Sequence, residues 1–417
     1  MKRILLLLSV LCAVEMTAQN QVPVLWLLNR DTTSSRYAGI LDVQANLNIG
    51  SNFLDRTVMD PILFGGSVLR EDLEHTVSKM PSYGRGRGEL GVVANYYGGL
   101  DSLFGRKEWG LYLHGEAWSE ASLGINKDAF ALATLGNAGY LGQRVDLTNT
   151  NYRSQSLRAL GVGWYNKKTY TGVSLSMVSG RNYRDFSAGN SSFFTSADAD
   201  TLQLVYSGNY YSSSNKTVGA NGIGFSLDAQ YNETFAKGKG WFTVGVRHLG
   251  AVAWSNQSTM THFDSTLTWT GVNLNHLLHT DSILNGGSLS TDSLSLHKTN
   301  ESMWKPLSPS LNIRVFREYN QGLGMFYGIQ YWIFDNVLPQ LSAGGMKRWD
   351  NGWAISSQVG YGGFGKLKWG MEVQYYNPNG IYISVGTTQL PGYFFSHTHE
   401  VQGQVRVSYL INKRKKE

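Results

Sequence analysis

The chain has 417 residues, of which 36 are Lys or Arg and 30 Asp or Glu, for a formal net charge of +6. Lys2, Arg3 and Glu15 contribute +1 of this and the tail Lys413-Arg414-Lys415-Lys416-Glu417 contributes +3, so the body carries about +2 with no basic stripe, which argues against nucleic acid as a partner. The lone cysteine, Cys12, lies in an N-terminal apolar run, and its removal with that run would exclude disulfide and thiol chemistry.

That run reads as a signal peptide over residues 1–18. Lys2 and Arg3 form the basic start, Ile4 to Val14 the apolar stretch, and Thr17-Ala18 the small-residue end, so cleavage is expected after Ala18. Leu11, preceding Cys12, is not the small residue of a lipoprotein signal. No later run of ~18 apolar residues occurs, which leaves no helical membrane span. Glycine (48), tyrosine (23) and tryptophan (12) are abundant and proline (8) is scarce, a composition suited to many strands and aromatic girdles.

Residues 19–35 read as a periplasmic lead-in with a short apolar patch at Val24 to Leu28. Period-two alternation then sets in: Tyr37, Gly39, Leu41, Val43, Ala45, Leu47 and Ile49 on one face, Asp42, Gln44, Asn46 and Asn48 on the other. A helix capped by Ser67 and carrying Leu69, Leu73, Val77 and Met80 follows, expected to cover a mouth or the lumen of a barrel, with a gate or a membrane-surface helix as the alternative. Strands are predicted near Glu89 to Tyr97 and Glu108 to Trp118, a second helix over Lys127 to Leu135, and a tight hairpin around Asn166-Lys167-Lys168. Arg181 to Asp200 reads as loop. Further strands fit Thr201 to Tyr211, Gly219 to Tyr231, Trp241 to Val252 and, weakly, Asp264 to Leu274; His276 to Pro306 reads as a long loop.

From Ser308 onward the alternation is cleanest, ending in Val401 to Ile411, where Gln402, Gln404 and Arg406 oppose Val401, Val405 and Val407. Asp350-Asn351-Gly352 and Asn377-Pro378-Asn379-Gly380 are strong turn sequences. The pattern predicts an all-β fold: one antiparallel transmembrane β-barrel of 14–16 strands over residues 36–411, with short helices in the early connections and a basic tail at 412–417. Long connections alternate with tight ones, which is consistent with both termini at the periplasmic end and Val401 to Ile411 closing the ring against Leu41 to Ile49.

Alternation also nominates the lumen. Asp42, Glu89, Glu116, Asp228, Arg247, Arg314, Glu372 and Arg406 fall on inward positions, where charge meets protein or water rather than lipid. They are expected either to brace the wall as ion pairs or to line a polar path. No catalytic, cofactor or metal residue is expected. Of nine histidines, His114 falls on an inward mid-strand position, while His262, His276, His279, His297, His397 and His399 fall in or beside loops. No nucleophile elbow accompanies His114. His397-x-His399 lacks a third ligand nearby in sequence. Gly84-Arg85-Gly86-Arg87-Gly88 lacks the lysine and helix of a phosphate loop and reads as a flexible strand entrance.

Four stretches carry a resemblance: Leu63-Phe64-Gly65-Gly66, Asp128 to Leu132 with Gly136-Asn137, Gly219 to Asp228, and the hairpins from Gly370 to Val385. They resemble an outer-membrane barrel family of Bacteroidota related to long-chain fatty-acid transporters, and barrel subunits that accompany that phylum's gliding and type IX secretion machinery. The triplets beginning at Asp101, Asp200, Asp281 and Asp292 look like the O-glycosylation acceptors of the same phylum. The resemblance implies an outer-membrane protein that passes or binds small hydrophobic molecules, or else a non-transporting docking barrel. The implied partners are outer-membrane lipid, the barrel-assembly machinery, and a hydrophobic small molecule or a secretion-complex subunit. Two features depart from the pattern: the chain does not end on an aromatic residue, and no N-terminal plug motif matches.

Overall fold

The computed structural model describes residues 37–98, 102–213, 220–270, 296–320, 322–333, 338–363, 367–377 and 380–412. The signal peptide, the lead-in and the tail after residue 412 lie outside the described residues, as do His276 and His279. The chain forms β1 (Tyr37–Ser51), β2 (Tyr83–Gly98), β3 (Trp109–Asn126), a short β4 (Arg144–Asp146), β5 (Asn151–Asn166) and β6 (Gly172–Ala188). There follow β7 (Ser192–Thr195), β8 (Thr201–Ser212), β9 (Gly222–Phe235), β10 (Gly240–Trp254), β11 (Thr259–Thr270), β12 (Leu296–Asn300) and β13 (Met303–Pro306). The last run is β14 (Ser310–Asn320), β15 (Leu323–Trp332), β16 (Leu338–Arg348), β17 (Trp353–Gly363), β18 (Leu367–Asn377), β19 (Ile381–Thr387) and β20 (Glu400–Asn412).

Fourteen of these strands make a closed antiparallel wall. Going round, β1, β2, β3, β5, β6, β9, β10 and then β14 to β20 pair in turn, and β20 returns to β1 with Leu41 opposite Tyr409 and Ile49 opposite Val401. Closure leaves no edge strand with unpaired backbone groups, the condition for crossing a bilayer with strands. The expected closing pair is therefore the one that forms.

The strand predicted near 201–211 forms as β8 and the one near 264–274 as β11 up to Thr270, its last four positions lying outside the described residues; both stand outside the ring. They pair with each other from Thr201↔Thr270 to Ser212↔Thr259, β8 pairs the far end of β6, and β12 pairs β11. Strand length gives the physical reason. A tilted strand needs about 9–11 residues to span a bilayer, whereas β2, β3, β5 and β6 have 16 to 18. Their surplus rises beyond the wall at the end carrying the long connections (the loop end) and offers backbone for further pairing. The opposite end carries the tight turns and the N-terminal start of β1. Asp350-Asn351-Gly352 closes one of those turns, with Gly352 at φ 88°.

Several local expectations are corrected. Arg181 to Asp200 is not simply loop: β6 runs to Ala188, with Tyr183 buried inside, and β7 follows. The described end of the expected 276–306 loop contains β12 and β13, and the Gly84 to Gly88 stretch is regular β2 structure rather than a flexible entrance. The first long connection holds two helices, α1 (Arg56–Phe64) and α2 (Arg70–Lys79), and Ser67 caps neither. Asp55 caps α1, and α2 begins after Leu69 without a side-chain cap. The helix α3 (Lys127–Leu135) forms as expected, capped by Asn126 through the Ala129 N–H. Phe53, Met80 and Phe130 make the buried centre under α2 and α3, with Leu73, Val77, Leu123 and Ile125 around them. The helices thus sit on the loop end of the wall.

Outward positions carry the apolar band that lipid contact demands. Leu160, Val162, Leu175, Met177, Ile223 and Val359 are exposed to the outside. Trp164, Tyr231, Tyr319, Trp353 and Tyr409 mark its turn-end margin, and Tyr361 and Trp369 its loop-end margin.

Candidate lumenal site

The interior is crossed by side chains of its own wall. Glu116 projects inward from β3, and its Oε1 accepts a hydrogen bond from Arg247 Nη2 at 2.9 Å. Its Oε2 lies 3.0 Å from His248 Nε2 and 3.2 Å from His114 Nε2. Because β5, β6 and β9 separate β3 from β10 in the wall, this is a bridge across the lumen. His248 stacks flat on Trp118, with ring centroids 4.6 Å apart and planes inclined by 1°.

Two consecutive residues of a regular strand cannot both face inward. A bulge in β10 allows it here. The pairing of β10 with β9 slips between Val246 and Leu249, His248 takes φ 58°, and its N–H is held by Asp228 Oδ1 at 2.7 Å. His248 was missed because strict alternation sends it outward. A signal was present: the outward apolar phase runs through Phe242, Val244 and Val246, then shifts to Leu249, Ala251 and Ala253.

On the turn-end side of this bridge lies a cavity of about 200 Å³. Asp42, Asp228, Arg247, Arg314 and Arg406 line it, together with Asn95, Tyr97, Tyr112, His114 and Tyr170. Arg406 grips Asp42 with two hydrogen bonds, Nε to Oδ1 at 2.7 Å and Nη2 to Oδ2 at 3.0 Å, and Ser408 Oγ donates to the same carboxylate. Tyr112 OH and His114 Nδ1 converge on Asn95 Oδ1 at 2.8 and 2.9 Å.

Tyr170 comes from the turn joining β5 to β6, at φ 57°. It folds into the turn-end mouth, stacked on Tyr165 with centroids 5.7 Å apart and edge-on to Tyr97 at 6.3 Å. It packs against two buried groups of the wall, one holding Trp241, Phe316 and Phe326, the other Ile40, Tyr382 and Leu410. The cavity is therefore floored by an aromatic turn residue and roofed by the Glu116 bridge.

The two remaining nominated residues, Glu89 and Glu372, also point inward, away from this cavity. Glu89 takes part in a buried cluster near the loop end, where Arg87 Nη2 lies 3.1 Å from Glu89 and 2.6 Å from Glu120. Glu120 also accepts from Ser308 Oγ at 2.6 Å and from the Gln155 amide, and Arg153 reaches Ser308 at 3.2 Å. Glu372 is buried in β18 and accepts from Gln374 and Gln404. Beside these, an apolar cluster containing Trp118, Tyr183, Tyr211, Trp254 and Leu307 fills part of the lumen. Gly180 makes room for it, since a Cβ there would lie 2.4 Å from the Trp254 ring.

No family model matches the chain, and no curated protein matches it. Solved structures similar to it are membrane barrels. A deltaS2S3 mutant of the TodX monoaromatic hydrocarbon channel is 9% identical with a TM-score of 0.48, covering 96% of this chain and 98% of that one. The Pseudomonas putida toluene transporter TodX is 10% identical at 0.44, covering 92% and 91%. The translocator domain of the autotransporter NalP from Neisseria meningitidis is 10% identical at 0.34, covering 92% of each. Likeness at this level carries no argument about function, which has to come from the lumen.

Proposed function

We propose that this protein is an outer-membrane barrel that takes a small amphipathic molecule into its lumen and passes it when the bridge and floor yield. The chamber between Glu116 and Tyr170 carries this reading. Its wall combines aromatic rings with paired charges, a lining that suits a molecule with an apolar body and a polar handle better than a pure hydrocarbon. Side chains spanning the lumen argue against a permanently open pore, because each ion pair across it also excludes solvent and solute.

Recording from single molecules of the purified protein in planar bilayers tests the reading. Wild type should show rare, small conductance steps, and Glu116→Ala combined with Tyr170→Ala should raise open probability at least tenfold. Silence in both, with a protein partner co-purifying from native membrane, would sink it.

A docking barrel is the second reading, favoured by the loop-end surface. The sheet of β8, β11 and β12 stands outside the ring, and Ile62, Leu63 and Phe64 of α1 are exposed there with Phe394 and Phe395. An apolar surface of that kind fits a protein partner.

A further inference from the structure

The loop end brings together three metal-ligating side chains that lie far apart in the chain. Asp55, which caps α1, His75 in the middle of α2 and His397 in the 388–399 connection have donor atoms all within 4.8 Å of one another. His397 Nδ1 lies 3.2 Å from Asp55 Oδ2, and the two imidazole rings are 6.0 Å apart. The frame beneath them is built from backbone. Ser51 N–H donates to His399 O at 2.8 Å, Arg56 N–H to Thr398 O at 3.1 Å, and Arg56 Nη1 to Gly392 O. His399 itself is used here, its Nδ1 lying 2.9 Å from Leu54 O, so the His-x-His pair of the sequence is divided: His399 braces the backbone and His397 faces the Asp55 carboxylate.

Asp55 supplies an independent pointer. Its side chain is 8% exposed, and Oδ1 accepts from the Thr57 N–H and hydroxyl, which leaves Oδ2 aimed at the two imidazoles. The neighbouring Arg56 turns to Asp60, with its Nη2 2.6 Å from Asp60 Oδ2. A buried carboxylate facing two accessible imidazoles is half of a charge-compensated arrangement.

The geometry points to a divalent transition-metal site at Asp55, His75 and His397, taking Zn²⁺ or a similar borderline ion and stapling the first long connection to the last. Two histidines and a carboxylate are a common zinc donor set, with a fourth position left for water. Tetrahedral zinc needs donors about 3.4 Å apart. Rotation of His397, which is 73% exposed, and of the exposed His75 supplies the remaining approach. This inference is independent of the lumenal reading.

The test uses the full barrel without a polyhistidine tag, purified in detergent and stripped with chelator. Zinc titrated against a chromophoric competitor should bind at one equivalent in wild type. Binding should weaken at least tenfold in His75→Ala, in His397→Ala and in Asp55→Asn, which keeps a helix-capping side chain. His262→Ala controls for the two histidines that face each other on β11 and β12. Bound zinc should also slow chymotryptic cleavage at the exposed Phe394 and Phe395 severalfold in wild type and not in His397→Ala. Heat-modifiable migration checks that each variant folds, and His75→Gln and His397→Gln replace any that does not. Absence of saturable zinc binding, binding indifferent to both histidine variants, or loss following His262→Ala instead would overturn the assignment.

Discussion

His248 Nε2 lies 3.0 Å from Glu116 Oε2, although three wall strands separate the strands that carry them. The same carboxylate holds Arg247 at 2.9 Å, so one acidic group on β3 gathers two consecutive residues of a bulge. Removing it should be felt in stability as well as in permeation. Glu116→Ala leaves Arg247 and His248 without the carboxylate they share. Stripping a fully buried pair of one partner costs about 3–5 kcal/mol, and the loss here should be smaller because the Arg247 side chain is 30% exposed. Glu116→Gln should cost less than Glu116→Ala, and unfolding midpoints in detergent check the order.

The register can be read through one pair of neighbours. Val405 faces outward between Ala45 and Val385, while Gln404 is buried and donates to Glu372 Oε1 at 3.1 Å. Val405→Arg sets a charge against lipid at a cost of about 2–4 kcal/mol near the midplane. Gln404→Arg sets it beside a carboxylate. Membrane levels and heat-modifiability should fall far more for the first, and equal behaviour would show the register to be wrong.

Ring closure can be trapped covalently. Val43 and Val407 stand opposite each other across the β1–β20 seam. In a Cys12→Ser background, the double variant Val43→Cys/Val407→Cys holds the only two thiols. Oxidation should produce a species of altered mobility on gels that reverts on reduction. Its absence, with both thiols accessible, would mean that the seam is open.

A buried pair offers a double-mutant cycle. Lys368 Nζ sits 2.8 Å from Glu400 Oε1 and 2.9 Å from Gln340 Oε1, with side-chain exposures of 3% and 1% for the ion pair. Lys368→Met alone should destabilise by about 3–5 kcal/mol, and Lys368→Met/Glu400→Leu should recover most of it, since an apolar pair avoids the desolvation of both charges.

Orientation has its own readout. If the loop end faces outward, Ser207→Cys on β8 should react with a membrane-impermeant maleimide on intact cells, whereas Lys239→Cys in the β9–β10 turn should react only after the membrane is broken. The reverse pattern would invert the topology.

Much of this barrel was legible in one dimension because a strand alternates with period two and lipid and lumen make opposite demands on its faces. The wall strands from β14 onward, the seam between Leu41–Ile49 and Val401–Ile411, and the inward placement of eight charged residues all follow from that rule applied residue by residue. It does not distinguish a strand in the wall from one stacked above it. Strands β8 and β11 alternate too, and only the surplus length of β6, with the way β9 returns to pair beside it, puts them outside the ring.

What the sequence by itself determined, then, is local: which segments extend, which face each side chain takes, where turns are tight. Tertiary structure decided what those side chains meet. A single bulge reversed His248, a left-handed turn sent Tyr170 into the mouth, and backbone hydrogen bonds between residues some 340 positions apart set His397 beside Asp55. Each of these depends on distances between chain segments, and alternation carries no information about them.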